Sequence, residues 1–428
     1  MTHGKSSDLH RSASITSPIT QRGLGLAARS LLLLWEKPLN AGLLALIVYA
    51  LAASLNGSIF ATSVTPYFNY LADAFLHGQL ALRLTPEKIA DLVQYNGQLF
   101  LYWPPFPAVV LLPFVAIFGV GFSDIAFTLA LGALNVVLVA VLLRSASQRL
   151  FPLTPVQRAV LVMFFSFGTV HLTLAPRGCV WFTSQLVGLA CVLLAYLAAL
   201  QLQGWKAFLL AGLAMGCAML TRNNLLFAGL WPAIYLLQQH WTGDRKRLLA
   251  FSAVGIAPVL LLGLALLGYN WARFGSFTEI GYQYHNMNAY FASDYQLYGA
   301  FNIHYLPTNL YYQYIYYPLP ITMESYHGGS LFLMSPLFLA AFWAFAQKPH
   351  RSTAVYLLAT VMLVNIPILL LMGTGWMTYG PRYTLDFHVP LLLLTAMGMS
   401  RWPRFAITIA LIVSIATYLF GTLMPFPA

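Results

Sequence analysis

The sequence predicts an all-α polytopic membrane protein of about 11 transmembrane helices, on three observations. The 428 residues are 59% hydrophobic and 15% aromatic, with a mean hydropathy of +0.72. Apolar runs of about 18 residues or more recur along the chain, long enough to cross a bilayer. Only 8% of residues are charged, too few to solvate a soluble protein of this length. The net charge of +11 invites a nucleic-acid reading, but the basic residues form neither a compact patch nor a recognition motif. Cys179, Cys191 and Cys217 give neither a disulfide framework nor a zinc spacing. "GLGLAA" at Gly23 imitates a dinucleotide loop, but no strand precedes it.

Residues 1–38 are polar, basic and rich in Ser and Thr. They are too long and too polar for a cleavable signal peptide, and read as a disordered cytoplasmic tail. A single membrane domain, 39–428, follows. Its apolar spans lie near 39–60, 122–143, 158–175, 180–202, 206–220, 225–239, 248–269, 329–346, 353–372, 387–400 and 405–424. The stretch 104–120, opened by "WPPFP" and interrupted at Pro113, reads as a helix lying in the outer interface. A full span there would carry Arg144, Arg149 and Arg158 outside. With the N-terminus cytoplasmic and the C-terminus external, only Arg83, Lys88, Arg177, Arg222, Arg273 and Arg382 of the 22 basic residues lie outside. That asymmetry satisfies the positive-inside rule. The acidic residues lean the other way, with only Asp8, Glu36 and Asp244 of the 11 inside.

Two external segments, about 61–121 and 270–328, are too long to be turns. Such loops are functional sites or solvated decoration. The second holds twelve tyrosines, among them Tyr311, Tyr312 and Tyr314. Most of these read as an interfacial aromatic belt, a few as rings able to stack on a sugar or lipid.

The unusual polar groups all fall on the outer face. Asp73 and His77 stand one helical turn apart in "YLADAFLHGQL". Arg177 sits in "APRGCVWF", Arg222 in "LTRNN", Arg273 and Glu279 in "YNWARFGSFTEIGYQY", and Arg382 with Asp386 in "TYGPRYTLDF". Ionisable groups at membrane depth line cavities or mark sites. Arginines beside an upstream carboxylate suit a phosphate-bearing ligand attacked by a nucleophile. Guanidinium holds phosphate in bidentate fashion, and a carboxylate takes a proton from a hydroxyl. Plainer readings stand beside these. Arg382 and Asp386, four apart, would pair with each other; Arg177 would snorkel at a helix end; Asp73 would be a solvated loop acid. His77, Glu87 and Asp91 read as structural or solvated. No metal-ligand spacing stands out, which leaves a divalent ion, magnesium or manganese, open.

Taken in order, "YLADAFLHGQL", "YNGQLFLYWPPFPAVVLLPFVAIFG", "GLAMGCAMLTRNNLLFAGLWP" and "GPRYTLDFHVPLLLL" make the chain resemble the bacterial GT-C glycosyltransferases over about 65–400. That family includes protein O-mannosyltransferases and the aminoarabinose transferases of lipid A. The resemblance implies eleven or more helices, with interfacial helices and a catalytic acid in the first external loop. It implies transfer of a sugar from a polyprenyl-phosphate donor to a glycan, lipid or protein acceptor, outside a bacterial inner membrane. Asp73 would then be the base, and Arg382, Tyr383 and Arg222 would lie at the donor phosphate. His77, Arg177, Arg273, Glu279 and Asp386 are further candidates for substrate contact. Two departures bear on this. Ala74 stands where many relatives carry a second acid, and Trp103 where many carry Lys. The rival readings are a transporter or lipid flippase, and a non-catalytic lipid-binding protein of the same fold. Against transport, the charges cluster on one face and no internal repeat is visible.

Overall fold

The computed structural model describes residue 30 and residues 32–423 apart from 242. Most of the expected tail, at 1–29 and 31, lies outside the described residues. The first span, α1 (Pro38–Asn56), begins with Pro at its first turn, where no intrahelical N–H is needed. The first external segment then folds as α2 (Tyr67–Leu76), a hairpin of β1 (Leu92–Tyr95) and β2 (Gln98–Leu101), and α3 (Phe106–Phe118). Asn96 and Gly97 both have positive φ, as a two-residue hairpin turn requires. Tyr67, Phe68 and Leu71 of α2 pack on Ala108, Leu111 and Val115 of α3. At 13 residues α3 is about 20 Å long, short of the ~30 Å hydrocarbon layer. The stretch 104–120 thus forms a helix packed on the first loop, too short to span alone.

The body of the bundle follows. It contains α4 (Asp124–Arg149), α5 (Pro155–Phe167), the short α6 (His171–Leu174), α7 (Val180–Gln201) and α8 (Gly204–Met219). A 3-10 stretch, Asn223–Gly229, leads into α9 (Leu230–Gln239), and α10 (Arg245–Phe274) follows. The second external segment carries α11 (Ala289–Tyr298), α12 (Leu306–Leu310) and β3 (His327–Gly328). After α13 (Leu331–Met334) and a 3-10 stretch, Pro336–Ala346, come α14 (Arg351–Leu370) and β4 (Thr378–Tyr379). β4 pairs in parallel with β3, and α15 (His388–Met399) and α16 (Arg404–Leu423) close the chain.

Among the described residues, six helices are long and apolar enough to cross a membrane: Pro38–Leu55, Asp124–Arg149, Val180–Gln201, Arg245–Phe274, Lys348–Leu370 and Arg404–Leu423. Several of the other expected spans are shorter or broken. The run 158–175 stops as α5 at Gly168 and resumes only as α6. The run 329–346 is split by Ser335 and Pro336 into α13 and a 3-10 stretch. Eleven full-length spans are therefore not what the helix lengths give.

Helix α7 runs through the core almost entirely buried, whereas α10 stands at the periphery with few fully buried side chains. α10 is held by close backbone approach to α8. A Cβ on Gly212 would stand 1.9 Å from the Gly255 carbonyl oxygen. The two ends of the bundle differ in chemistry. At one end Glu36 pairs with Arg158 at 2.8 Å and Arg144 at 3.5 Å. At the other, Ser123 and Asp124 begin α4 beside Ile59, Ala61 and Ser63.

Candidate functional site

A cavity of about 410 Å³ opens at the Asp124 end of the fold. The first loop contributes Tyr102, Trp103 and Pro104 to its wall, and the turn after α8 contributes Thr221, Arg222, Asn223 and Asn224. Asn270 and Arg273 come from the end of α10, Tyr282 and Phe301 from the second external segment, and Tyr383 from the stretch before α15. Leu266, Pro367, Ile368 and Leu371 give it an apolar side toward α10 and α14. Among the described residues, Arg222 and Arg273 are its only charged lining residues.

Three residues expected at a donor phosphate come together at its edge: Arg222 and Tyr383 line it, and Arg382, which does not, lies against the same Tyr383 ring. The Arg222 guanidinium lies 5.2 Å and that of Arg382 4.9 Å from the centre of the Tyr383 ring. Arg222 donates from Nε to Asp386 Oδ2 at 2.9 Å, and Asn224 donates to the same oxygen at 2.8 Å. Burial is the largest influence on Arg222 and opposes its charge, but Asp386, Tyr383 and Tyr282 together outweigh it and hold the guanidinium above its ordinary pKa. Arg382 donates from Nε to the Gly375 carbonyl at 3.0 Å, with Trp181 and Phe182 of α7 within 6 Å of its guanidinium. Its backbone carbonyl accepts a hydrogen bond from Gln185 of α7. Among the described residues Arg382 forms no ion pair with a carboxylate. A buried guanidinium without such a partner is costly by itself and suited to an anion.

The expectation that Asp386 orients Arg382 is corrected: Asp386 belongs to Arg222. Residues 382–387 form a 3-10 stretch, in which positions i and i+3 eclipse and i+4 turns away. Asp73 also stands differently from its expected role. It is buried in α2, and Arg83 grips both of its oxygens, Nε to Oδ2 at 2.9 Å and Nη2 to Oδ1 at 3.0 Å. It does not line the cavity. His77 accompanies it, half-exposed, with Nδ1 2.8 Å from the Asp73 carbonyl.

Arg273 lines the cavity but is spent on structure. It donates to the Leu101 carbonyl at 2.6 Å and to Asn270 at 2.8 Å, tying α10 to the hairpin. Glu279 accepts from Gly281 and Gln283 and so shapes its own turn. Arg177 is buried away from the cavity, with a hydrogen bond to the Thr422 carbonyl of α16.

One acid read as structural from the sequence neighbours the rings of this centre, although it too is absent from the cavity wall. Asp91 holds a positive φ of 65°, and its Oδ2 accepts from Trp181 Nε1 at 3.1 Å. Trp181 is the ring beside Arg382. His285 Nε2 stands 3.3 Å from Asp91 Oδ1. Burial, with Asp91 adding to it, holds the Tyr102 hydroxyl well above the ordinary phenol range. Burial, Tyr383 and Asp91 act likewise on Tyr282. Both phenols are therefore neutral donors at the cavity wall. A strained φ at an acid beside a half-buried tryptophan was the signal, and it is not visible in a sequence.

Among the described residues no three His, Cys, Asp or Glu side chains converge, so the acids form no preassembled metal cage. Asp73, Asp91 and Asp386 are each separately engaged by an N–H donor. A magnesium ion held mainly by substrate phosphate needs only one or two carboxylates.

No family model matches the chain, and no curated protein matches it. Solved structures do match. ArnT from Cupriavidus metallidurans bound to undecaprenyl phosphate aligns over 91% of this chain and 63% of its own, at 16% identity and a TM-score of 0.53. The Archaeoglobus fulgidus oligosaccharyltransferase in complex with Zn and sulfate aligns over 91% of this chain and 54% of its own, at 14% identity and a TM-score of 0.52. The chain thus spans less than two thirds of the length of either. At these identities the likeness is one of fold, and it agrees with the resemblance read from the sequence: the chain carries the GT-C membrane fold.

Proposed function

We propose that the protein is a glycosyltransferase that takes a sugar from a polyprenyl-phosphate-linked donor and passes it to an acceptor hydroxyl outside the membrane. The observation that carries this is the pair of guanidiniums, Arg222 and Arg382, set against one Tyr383 ring, with Asp386 paired to Arg222 alone. A phosphate diester supplies the missing negative charge. The apolar side formed by Leu266, Pro367, Ile368 and Leu371 suits the first isoprene units of the lipid. ArnT, of the same fold, was crystallised with undecaprenyl phosphate, which supports that ligand class.

In the proposed reaction the acceptor O–H loses its proton to a carboxylate as its oxygen attacks the sugar C1. The C1–O bond to the phosphate breaks, and its electron pair leaves with the polyprenyl phosphate. Arg222 and Arg382 stabilise the charge that grows there. We assign the proton to Asp91 and not to Asp73, because Asp91 neighbours the Trp181 that supports Arg382. Asp73, chelated by Arg83, anchors the first loop.

The test is complementation of a deletion strain with wild type, Asp73→Asn, Asp91→Asn or Arg382→Ala, followed by mass spectrometry of polyprenyl-linked sugars. Deletion is expected to accumulate one lipid-linked sugar. Wild type and Asp73→Asn should clear it, whereas Asp91→Asn and Arg382→Ala should not. No accumulation on deletion sinks the transferase reading. Clearance by Asp91→Asn at the wild-type rate sinks the choice of base alone.

A further inference from the structure

A second assembly of aromatic rings faces outward, separate from the cavity lining. Tyr290 of α11 is 58% exposed and stacks on Trp376 at 5.2 Å with the planes 19° apart. Phe291 meets the same indole edge-on at 5.3 Å. His327 lies 5.7 Å from Tyr290 and 6.1 Å from Trp376, and stacks on Tyr312 at 5.5 Å. The Tyr312 hydroxyl donates to Glu324 Oε1 at 3.1 Å, which leaves the other oxygen of this exposed carboxylate open to solvent.

The rings are held by backbone as well as by each other. β3 and β4 pair His327 with Thr378, and the Thr374 hydroxyl donates to the His327 carbonyl. Gly373 has a positive φ of 86°, and a Cβ there would meet the Phe291 ring at 3.2 Å. Gly375, φ 91°, precedes Trp376 and lends its carbonyl to Arg382. One short loop therefore carries both the surface indole and the support of the anion-binding arginine.

We propose that Tyr290, Trp376, His327 and Glu324 form a carbohydrate-docking subsite, which presents the acceptor glycan to the cavity. A flat aromatic face takes the C–H face of a pyranose ring, and a carboxylate and an imidazole at its rim take the hydroxyls. A lipid headgroup layer fits less well. These rings stack on one another around an exposed acid, which anionic headgroups repel. That the docked sugar is the acceptor rests on the proposed transfer; that a sugar docks here does not.

Accordingly the test reads binding without donor or turnover. The full chain in nanodiscs is titrated with mannotriose and with chitotriose, and saturation-transfer NMR records contact. Binding of at least one saccharide is expected, with Tyr290→Ala and Trp376→Ala each weakening it by about five- to tenfold, the scale of one lost stacking contact. Trp376→Phe should restore most of it, and unchanged thermal midpoints show that each variant is folded. Two results overturn the subsite: neither saccharide binds, or Trp376→Ala binds as wild type does. A third does so as well. If brominated phospholipid quenches wild-type fluorescence and Trp376→Phe removes that component, the rings belong to the bilayer. Saccharide binding that persists in a strain showing no lipid-linked sugar change would leave the subsite standing without the transferase.

Discussion

Asp386 decides what Arg222 is worth. Its side chain is almost wholly buried, and the Arg222 side chain it holds is 13% exposed, toward the cavity. Removing one partner of such a pair strands a charge, which costs far more than the pair contributes. Asp386→Asn is therefore expected to destabilise the protein by about 3–5 kcal/mol, visible as a lower thermal midpoint in detergent. The double variant Arg222→Met/Asp386→Leu should recover most of that midpoint and still fail to bind undecaprenyl phosphate. Recovery of both would remove Arg222 from the site. The residue types at this centre were legible in the sequence: Arg222, Arg382 and Tyr383 are polar interruptions in apolar surroundings, and the fold brings them together. Their pairing was not. A four-residue spacing implies contact only on an α-helix, and residues 382–387 are wound more tightly. Nor does any local pattern reveal that Arg83 folds back on Asp73, or that Asp91 is held under Trp181.

At the scale of elements, α10 is the piece whose placement depends on the smallest contact. It carries Asn270 and Arg273 to the cavity, yet most of its length touches only α8. The contact is set by Gly212, where added atoms would strike the Gly255 backbone. Gly212→Val must push the helices apart, at a cost of about 1–3 kcal/mol for an overpacked contact. It should also loosen the Arg273 bond to the Leu101 carbonyl and with it the hairpin. Gly263→Ala is the control, since a Cβ there meets only the Met219 methyl at 3.6 Å. Thermal midpoints of the two variants check this: equal values would mean that α10 is held by something other than close approach. Apolar runs made most of these helices readable. The breaks did not show, because 3-10 winding at 336–346 and the stop at Gly168 are set by packing partners distant in the chain. The hairpin carried its own Asn-Gly signal at 96–97, lost within a segment read only for helices.

For the whole molecule, the question is which way the cavity faces. Its end carries Asp73, Arg83, Arg222 and Arg382, while the other end gathers Glu36, Arg144 and Arg158. α4 joins the two, from Asp124 to Arg149, in a helix of about 39 Å that suffices to cross the bilayer. We propose that the Glu36 end faces the cytoplasm, on the count of basic residues. A lipid-linked donor used outside the membrane requires the cavity to open there. In a Cys217→Ser background, where the remaining cysteines Cys179 and Cys191 are buried, a cysteine is introduced at exposed Asp294 or exposed Lys246. A membrane-impermeant maleimide applied to intact cells is expected to label Asp294→Cys and to spare Lys246→Cys until the cells are broken. The reverse pattern would turn the cavity toward the cytoplasm, where activated nucleotide sugars are at hand. The requirement for a lipid-borne donor would then lose its physical basis, even with Arg222 and Arg382 in place.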